Sequence, residues 1–306
     1  CAGILPDTIN WDSSIYHNGW VKEKFLNNPQ LDTATVENYI SNIIKKRPII
    51  GINVRPILSS NLAKKYLTLT YHYLSNGHCR HDYYNPLLRG IRWVRRIPNL
   101  KKTRKLYSLP KEEERFIFFP LHVHNDAQTT LRAVQFFRQD YTAELIARAL
   151  PRGLLLYVKE HPHGAGLIPF EQIKKIAHLP NTRLVPFDIN SHDLIEKSDA
   201  VITINSDVGW EALLHQKPVV VLDKPFYSHK GITFDVEDIK NLTTYIEKAI
   251  STKEIPKEKL ILVVHAALKS HYPGAFFTPG TLDFNLDPEN IKKIAQSAMI
   301  EIEDAG

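Results

Sequence analysis

The stretch Ala200-Val-Ile-Thr-Ile-Asn-Ser-Asp-Val-Gly-Trp-Glu-Ala-Leu-Leu-His-Gln-Lys-Pro-Val-Val-Val-Leu-Asp223 decides the fold. The apolar run Val201 to Ile204 is too short for a helix and is closed by turn residues. Pro218 to Leu222 repeats that signature after a helical interval. The pattern is a βαβ unit. Asn205, Ser206 and Asp207 stand where a helix N-cap belongs. The first N–H groups of such a helix lack intrahelical partners and face the carboxyl end of the preceding strand, which suits a phosphate.

Outward from this unit the alternation continues. Strand patterns fall at Phe116 to His122, Gly153 to Lys159 and Arg183 to Pro186. Helical patterns fall at Ala127 to Leu150, Phe170 to His178, Ser191 to Lys197, Asp207 to His215 and Val236 to Ser251. Strands and helices taking turns predict a parallel sheet covered on both faces. Pro288 to Ile302 reads as a last helix. Before residue 112 strands are few. Pro48-Ile-Ile-Gly-Ile-Asn-Val54 is the clearest, between helical patterns at Val36 to Lys46 and Ile57 to Leu74, and the first 35 residues carry no assignable pattern.

At 306 residues and 43% hydrophobic content the chain is globular and long enough for two domains of ordinary size. No apolar run approaches the roughly 20 residues that span a bilayer, and no signal-peptide pattern opens the chain. Two cysteines, Cys1 and Cys79, make no disulfide framework, so the expected compartment is a reducing cytoplasm. An opening Cys1 in place of Met predicts a fragment or a processed end. The formal charge of +6 is unevenly placed, with Arg80, Arg89, Arg92, Arg95, Arg96, Lys101, Lys102, Arg104 and Lys105 crowded around Tyr83, Tyr84, Trp93 and Leu100. Such a segment is either a solvated face with buried anchors or a docking surface for anionic headgroups or an acidic glycan. Nucleic acid is not an expected partner, because no nucleic-acid-binding module accompanies the charge.

In a doubly wound sheet ligands bind beyond the carboxyl ends of the strands. Here those ends are polar: His122-Val-His-Asn-Asp126, Lys159-Glu-His-Pro-His163, Asn205-Ser-Asp207 and Asp223-Lys-Pro-Phe-Tyr227. One such end is ordinary; several on one rim predict a composite ligand site. His122, His124, Lys159, Asn205, Ser206, Asp207, Glu211 and Tyr227 are its candidate substrate-binding residues.

The series Phe119-Pro-Leu-His-Val-His-Asn-Asp-Ala127, Leu156-Tyr-Val-Lys-Glu-His-Pro162, Asp188 with Ser191, Ile202-Thr-Ile-Asn-Ser-Asp-Val-Gly-Trp-Glu-Ala-Leu213, Lys217-Pro and Phe226-Tyr resembles the bacterial capsule polysaccharide synthesis family, and within it the retaining β-Kdo glycosyltransferases. The likeness covers about residues 115 to 230. It implies an α/β, GT-B-like fold, two Rossmann-like halves facing a cleft, with the parallel sheet in the C-terminal half. The implied domains are an N-terminal acceptor-side domain at 1–112, a nucleotide-sugar-binding Rossmann-like domain at 113–285 and a C-terminal helix at 286–306. It further implies catalytic roles for Asp126, as nucleophile or general base, and for His161, facing the donor's phosphate or carboxylate. Ser206 matches the family's capping hydroxyl and Glu211 its helix acid, placed to accept hydrogen bonds from ribose hydroxyls. The implied substrates are a nucleotide sugar, CMP-linked, and a glycan or glycolipid acceptor. No metal and no separate cofactor are expected, and the expected location is cytoplasmic, peripheral at the inner membrane.

Two other classes fit parts of the sequence. His122-x-His124-x-Asp126 with His161-x-His163 has the spacing of zinc ligands in a hydrolase, since alternating strand positions point the same way. A non-catalytic glycan-binding or assembly subunit would keep the fold without the reaction.

Overall fold

The computed structural model describes residues 8–9, 21–27, 31–46, 67, 70–71, 86–274 and 287–305. A two-residue strand, β1 (Thr8–Ile9), comes first, followed by helices α1 (Glu23–Asn27) and α2 (Thr33–Lys46). The strand expected at 48–54, and all but a few residues of the helix expected at 57–74, lie outside the described residues, as does most of an N-terminal half facing a cleft. The C-terminal part of the basic segment is a helix, α3 (Pro86–Arg104).

From residue 116 the expected alternation is present. β2 (Phe116–Pro120), α4 (Gln139–Ala149), β3 (Leu155–Lys159), α5 (Phe170–Ala177), β4 (Thr182–Val185), α6 (Ser191–Lys197), β5 (Ala200–Thr203), α7 (Asp207–Leu214), β6 (Val219–Val221) and β7 (Phe234–Asp235) follow one another. All pairings among these strands are parallel, and the six lie in the order β4-β3-β2-β5-β6-β7. The chain runs from β2 outward to β4, then crosses back to place β5 on the other side of β2. That reversal is the topological switch point, where loops leave in opposite directions and open a crevice.

Alternation along β2 divides the core. Phe116 and Phe118 join a buried cluster with Tyr157, Val201, Trp210, Val219 and Tyr227, whereas Ile117 and Phe119 join Leu156, Val158, Ile173, Ile202 and Val220 on the opposite face. The first cluster also takes Val21 and Val36 from the N-terminal segments. Trp210 Nε1 donates to Tyr39 Oη at 3.1 Å, joining α2 to α7. α8 (Leu242–Ser251) and α9 (Lys257–Lys269) cover the sheet from opposite sides; β8 (Tyr272–Pro273) pairs antiparallel with β1, and α10 (Pro288–Ala305) ends the described chain.

Three expectations need correction. The single helix at Ala127 to Leu150 is instead a π turn (Gln128–Arg132), a 3-10 turn (Val134–Phe136) and α4. The breaks fall at Ala133 (φ −108, ψ 56) and Arg138 (φ −84, ψ 79), both outside helical geometry. They allow the Gln139 side chain to bridge the His122 backbone, accepting from its N–H at 2.6 Å and donating to its carbonyl at 3.2 Å. The helix expected from Val236 starts only at Leu242, because Phe234–Asp235 pairs with β6 and Asp238 caps the 3-10 turn Ile239–Asn241. α9 was not expected. Its run Leu260-Ile-Leu-Val-Val264 lacks a clean apolar stripe, and several of its residues are buried against α1 and α2.

Candidate functional site

A cavity of about 310 Å³ opens at the switch point, between the carboxyl ends of β2, β3, β4 and β5. The sequence-predicted residues His122, Asp126, Lys159, His161, Asn205, Ser206, Asp207 and Glu211 all line it. The β2 end reaches it through a tight turn. Asn125 takes a left-handed backbone (φ 61), which asparagine tolerates better than most side chains, and Asp126 N–H closes the turn on the Val123 carbonyl at 3.1 Å. Asp126 Oδ2 then lies 3.9 Å from Nδ1 of His122, itself 6% exposed. The His122 side chain beside it, more than its partial burial, holds the Asp126 carboxyl below the usual carboxylate range. His122 Nε2 is buried without a hydrogen-bond partner, a polar atom left for a ligand.

Lys159, at the end of the adjoining strand β3, supplies an ammonium to the lining. Burial at the last position of β3 pulls its pKa down to about 8, against the attraction of Glu211 and Asp188. Its Nζ donates to Ser191 Oγ at 2.9 Å, at the start of α6. Glu211, one turn into α7, is pushed up to about 7 by burial and by neighbouring Asp207, with Lys159 opposing. The cavity therefore holds an acid and a base that both titrate close to neutrality.

His161 caps the short 3-10 turn Pro162–Gly164. Its Nδ1 accepts from His163 N–H at 3.1 Å, so the ring proton sits on Nε2. Burial, then the neighbouring His163, Lys159 and His122, lower its pKa to about 4. His161 is thus a neutral N–H donor at physiological pH and brings no positive charge. Ser206 is the N-cap of α7: its Oγ accepts from Val208 N–H at 3.2 Å, as the sequence predicts, and its own N–H donates to Thr203 Oγ1 at 3.0 Å. Asn205 donates to Asp223 Oδ2 at 2.9 Å, tying the turns after β5 and β6 together.

Two candidates lie elsewhere. Tyr227 is fully buried and does not line the cavity, so a direct substrate contact is replaced by a supporting one: its hydroxyl donates to the Ser206 carbonyl at 2.6 Å. His124 is also outside the lining; its ring is 6.0 Å from that of Phe137. The zinc-like His122-x-His124-x-Asp126 pattern does not converge, and among the described residues no group of three His, Cys, Asp or Glu side chains is placed to hold a metal ion. The rim also includes residues that the strand-end reading passed over: Gln128, the Phe187 to Asn190 loop, and His192, whose Nδ1 is 2.8 Å from Nε2 of His215. His192 and His215 are 23 positions apart and meet only through the packing of α6 on α7. For Asn190 the signal was available, as an Asn directly before a helical pattern; its side chain accepts from His192 N–H at 2.9 Å.

The family model described as "Capsule polysaccharide biosynthesis protein" matches residues 63–270. The capsule polysaccharide export protein KpsS of Escherichia coli is 28% identical over 185 residues, 54% of this chain and 48% of that protein. The capsule polysaccharide modification protein LipB of Neisseria meningitidis is 27% identical over 128 residues, 39% of this chain and 30% of LipB. The chain thus spans about half the length of KpsS, and less of LipB. Among solved structures, the beta Kdo 2,7 transferase of Thermosulfurimonas dismutans KpsC is 20% identical, covering 71% of this chain and 61% of that one, with a TM-score of 0.38. At that score the likeness supports no conclusion about chemistry.

Proposed function

The chain belongs to the capsule polysaccharide biosynthesis protein family, and we propose that within it the chain is a retaining glycosyltransferase. In this reading it moves a sugar, Kdo from CMP-Kdo, onto a growing cell-surface polysaccharide or its lipid-linked primer. The observation that carries the proposal is the convergence of Asp126, Lys159, His161, Ser206 and Glu211 on one cavity at the switch point of a parallel sheet.

The chemistry follows from the charges. The Asp126 carboxylate, kept ionised beside His122, attacks the anomeric carbon. The bond to the nucleotide phosphate breaks and its electrons leave with the phosphate. Lys159 and the Nε2–H of His161 meet that developing charge, together with the amide end of α7. In the second step the acceptor hydroxyl displaces Asp126 from the same carbon, which restores the starting configuration. Glu211, titrating at about 7, is suited to take the hydroxyl proton. We place the reaction at the cytoplasmic side of the inner membrane, with the protein held peripherally; among the described residues no helix is long and apolar enough to cross a membrane.

Calorimetry against CMP, UMP, GMP and TMP tests the donor class, with CMP expected to bind tightest. Equal or absent binding across the panel removes the assignment. A second reading, a non-catalytic assembly subunit, is favoured by one observation, the description of the relative KpsS as an export protein. Turnover of a bound nucleotide sugar separates the two.

A further inference from the structure

One face of α3 grips the walls of the cavity. Arg96 Nε donates to the Ala165 carbonyl at 2.6 Å, and Gly166 (φ +78) passes so close that a Cβ there would sit 3.0 Å from both the Arg96 carbonyl oxygen and Leu100 Cβ. This contact holds the loop that begins at His161. Just past the helix, Tyr107 Oη donates to buried Glu160 at 2.9 Å and Ser108 N–H donates to the Leu184 carbonyl at 2.8 Å. The Arg104 guanidinium lies 5.9 Å from the ring centre of Phe187, a residue of the cavity lining. Both the β3 and the β4 loops are therefore fastened to one helix.

The opposite face of α3 is exposed. At 100° per residue, Ile91, Val94, Pro98, Lys101 and Lys102 fall on one stripe about 100° wide, with exposed Lys105 in the turn just past the helix; Lys102 Nζ also lies 5.4 Å from the ring centre of Phe170. Ile91 is 49% and Val94 63% exposed, large values for aliphatic side chains on a helix otherwise anchored. Apolar side chains at one end of a stripe and ammonium groups at the other are the chemistry of an interfacial helix, whose aliphatic part enters the acyl boundary while the lysines meet headgroup phosphates. A soluble polyanion would use the lysines and leave Ile91 and Val94 without a partner.

We propose that this stripe docks on an anionic bilayer surface, and that α3, through its grip on Ala165, Gly166 and Phe187, fixes the cavity mouth relative to that surface. The inference deepens the proposed function and rests on it only for the reaction that the cavity performs. An open groove lined by Arg104, Tyr107, Leu109 and Phe187 adjoins the cavity beside the basic end of the stripe, giving an acceptor anchored in the bilayer a route to the site.

Sedimentation of the full chain with phosphatidylglycerol-containing vesicles, against pure phosphatidylcholine, tests the docking. Binding should require the anionic lipid and weaken with added salt, a readout on the unaltered chain that no folding defect can imitate. The triple variant Lys101→Glu, Lys102→Glu, Lys105→Glu should bind about a hundredfold more weakly or worse, each lysine near such a surface contributing about fivefold. Ile91→Ser with Val94→Ser should weaken binding about tenfold, and should do so at high salt as well. Absent binding, equal binding to neutral vesicles, or indifference to the charge reversal overturns the proposal. So does heparin binding as tight as vesicle binding and insensitive to the Ile91 and Val94 changes, which would make the stripe a soluble-polyanion site. Nucleotide affinity measured on the same variants should be unchanged. Its absence from the unaltered chain, with vesicle binding intact, would refute the reading of the cavity and leave the docking standing.

Discussion

His122 Nδ1 stands 3.9 Å from Asp126 Oδ2, and the two are held in that relation from both ends: Gln139 clamps the His122 backbone, and the left-handed Asn125 turns the chain so that Asp126 faces back. The pair keeps a half-buried carboxylate ionised, which is the state a nucleophile needs.

Replacing Asp126 by Asn should abolish transfer while leaving nucleotide affinity within a few-fold, because charge is lost and shape is kept. His122→Asn should leave transfer slower and move its acid limb to higher pH, since the Asp126 carboxyl would lose the neighbour that lowers its pKa. Rate against pH for the two variants decides the matter. Near-normal transfer by Asp126→Asn would assign the chemistry to another residue.

Lys159 and Glu211 make nucleotide binding depend on pH in a stated direction. Lys159 is cationic below about 8, and Glu211 is neutral below about 7, so on the acid side a phosphate keeps the attraction of Lys159 and is spared the repulsion of Glu211. Affinity should fall steadily from pH 6 to pH 9. Lys159→Met should cost about tenfold to a hundredfold in affinity and flatten the upper part of that profile. An affinity that rises with pH would contradict the placement of Lys159 against the phosphate.

Glu211 also bears on stability. Its folded pKa is raised to about 7 from an ordinary 4.5, so its contribution is fully present below about 4.5 and is lost as pH rises through 7. Glu211→Gln cannot ionise, and its melting temperature should exceed that of the unaltered protein by a few degrees at pH 8, with the difference vanishing near pH 4. Thermal melts at the two pH values check this; an equal or lower value at pH 8 would mean that the carboxylate is better solvated than its surroundings indicate.

The parts of this molecule legible in its sequence are those governed by neighbours along the chain. The alternation from Phe116 to Leu222, the N-cap Ser206 and the polar strand ends depend on periods of two and 3.6 and on turn chemistry, and the sheet reproduces them. By its place after a strand end Tyr227 is a candidate substrate contact, but its position depends on Gly209, where a Cβ would run into the Tyr227 hydroxyl and lie 2.9 Å from Thr203 Cγ2. Such close approach between residues distant in sequence has no local signal. The same is true of Gln139 on His122 and of α3 on the cavity loops. The shifts of Lys159 and Glu211 come from burial, which a residue's type alone does not reveal.

Support beneath the site is open to test through that contact. Gly209→Ala should destabilise the fold by about 2–3 kcal/mol, as an overpacked core position does. Tyr227→Phe should cost about 1 kcal/mol by removing one of the two hydrogen bonds to the Ser206 carbonyl, which Gly209 N–H still reaches at 3.0 Å, and should weaken nucleotide binding several-fold by loosening the α7 cap. Denaturant unfolding measures both. Full stability of Gly209→Ala would mean that Tyr227 moves aside freely.

Metal dependence is the sharpest test of how the cavity handles phosphate, because its lining is acidic on balance: Asp126, Asp188, Asp207 and Glu211 face one ammonium, Lys159. Two arrangements can receive an anionic donor there. In one, Lys159, the Nε2–H of His161 and the amide end of α7 suffice, helped by a Glu211 that is protonated for part of the time at neutral pH. In the other, carboxylates recruit a divalent cation together with the substrate. We expect the first, because His161 already presents a proton to the cavity. Transfer should therefore survive a chelator, and purified protein should carry no stoichiometric zinc, while Lys159→Met should depress transfer whether or not magnesium is added. Chelator-sensitive transfer restored by magnesium would assign Asp126 or Asp207 to a cation, and Asp126 would then have to be replaced as the nucleophile.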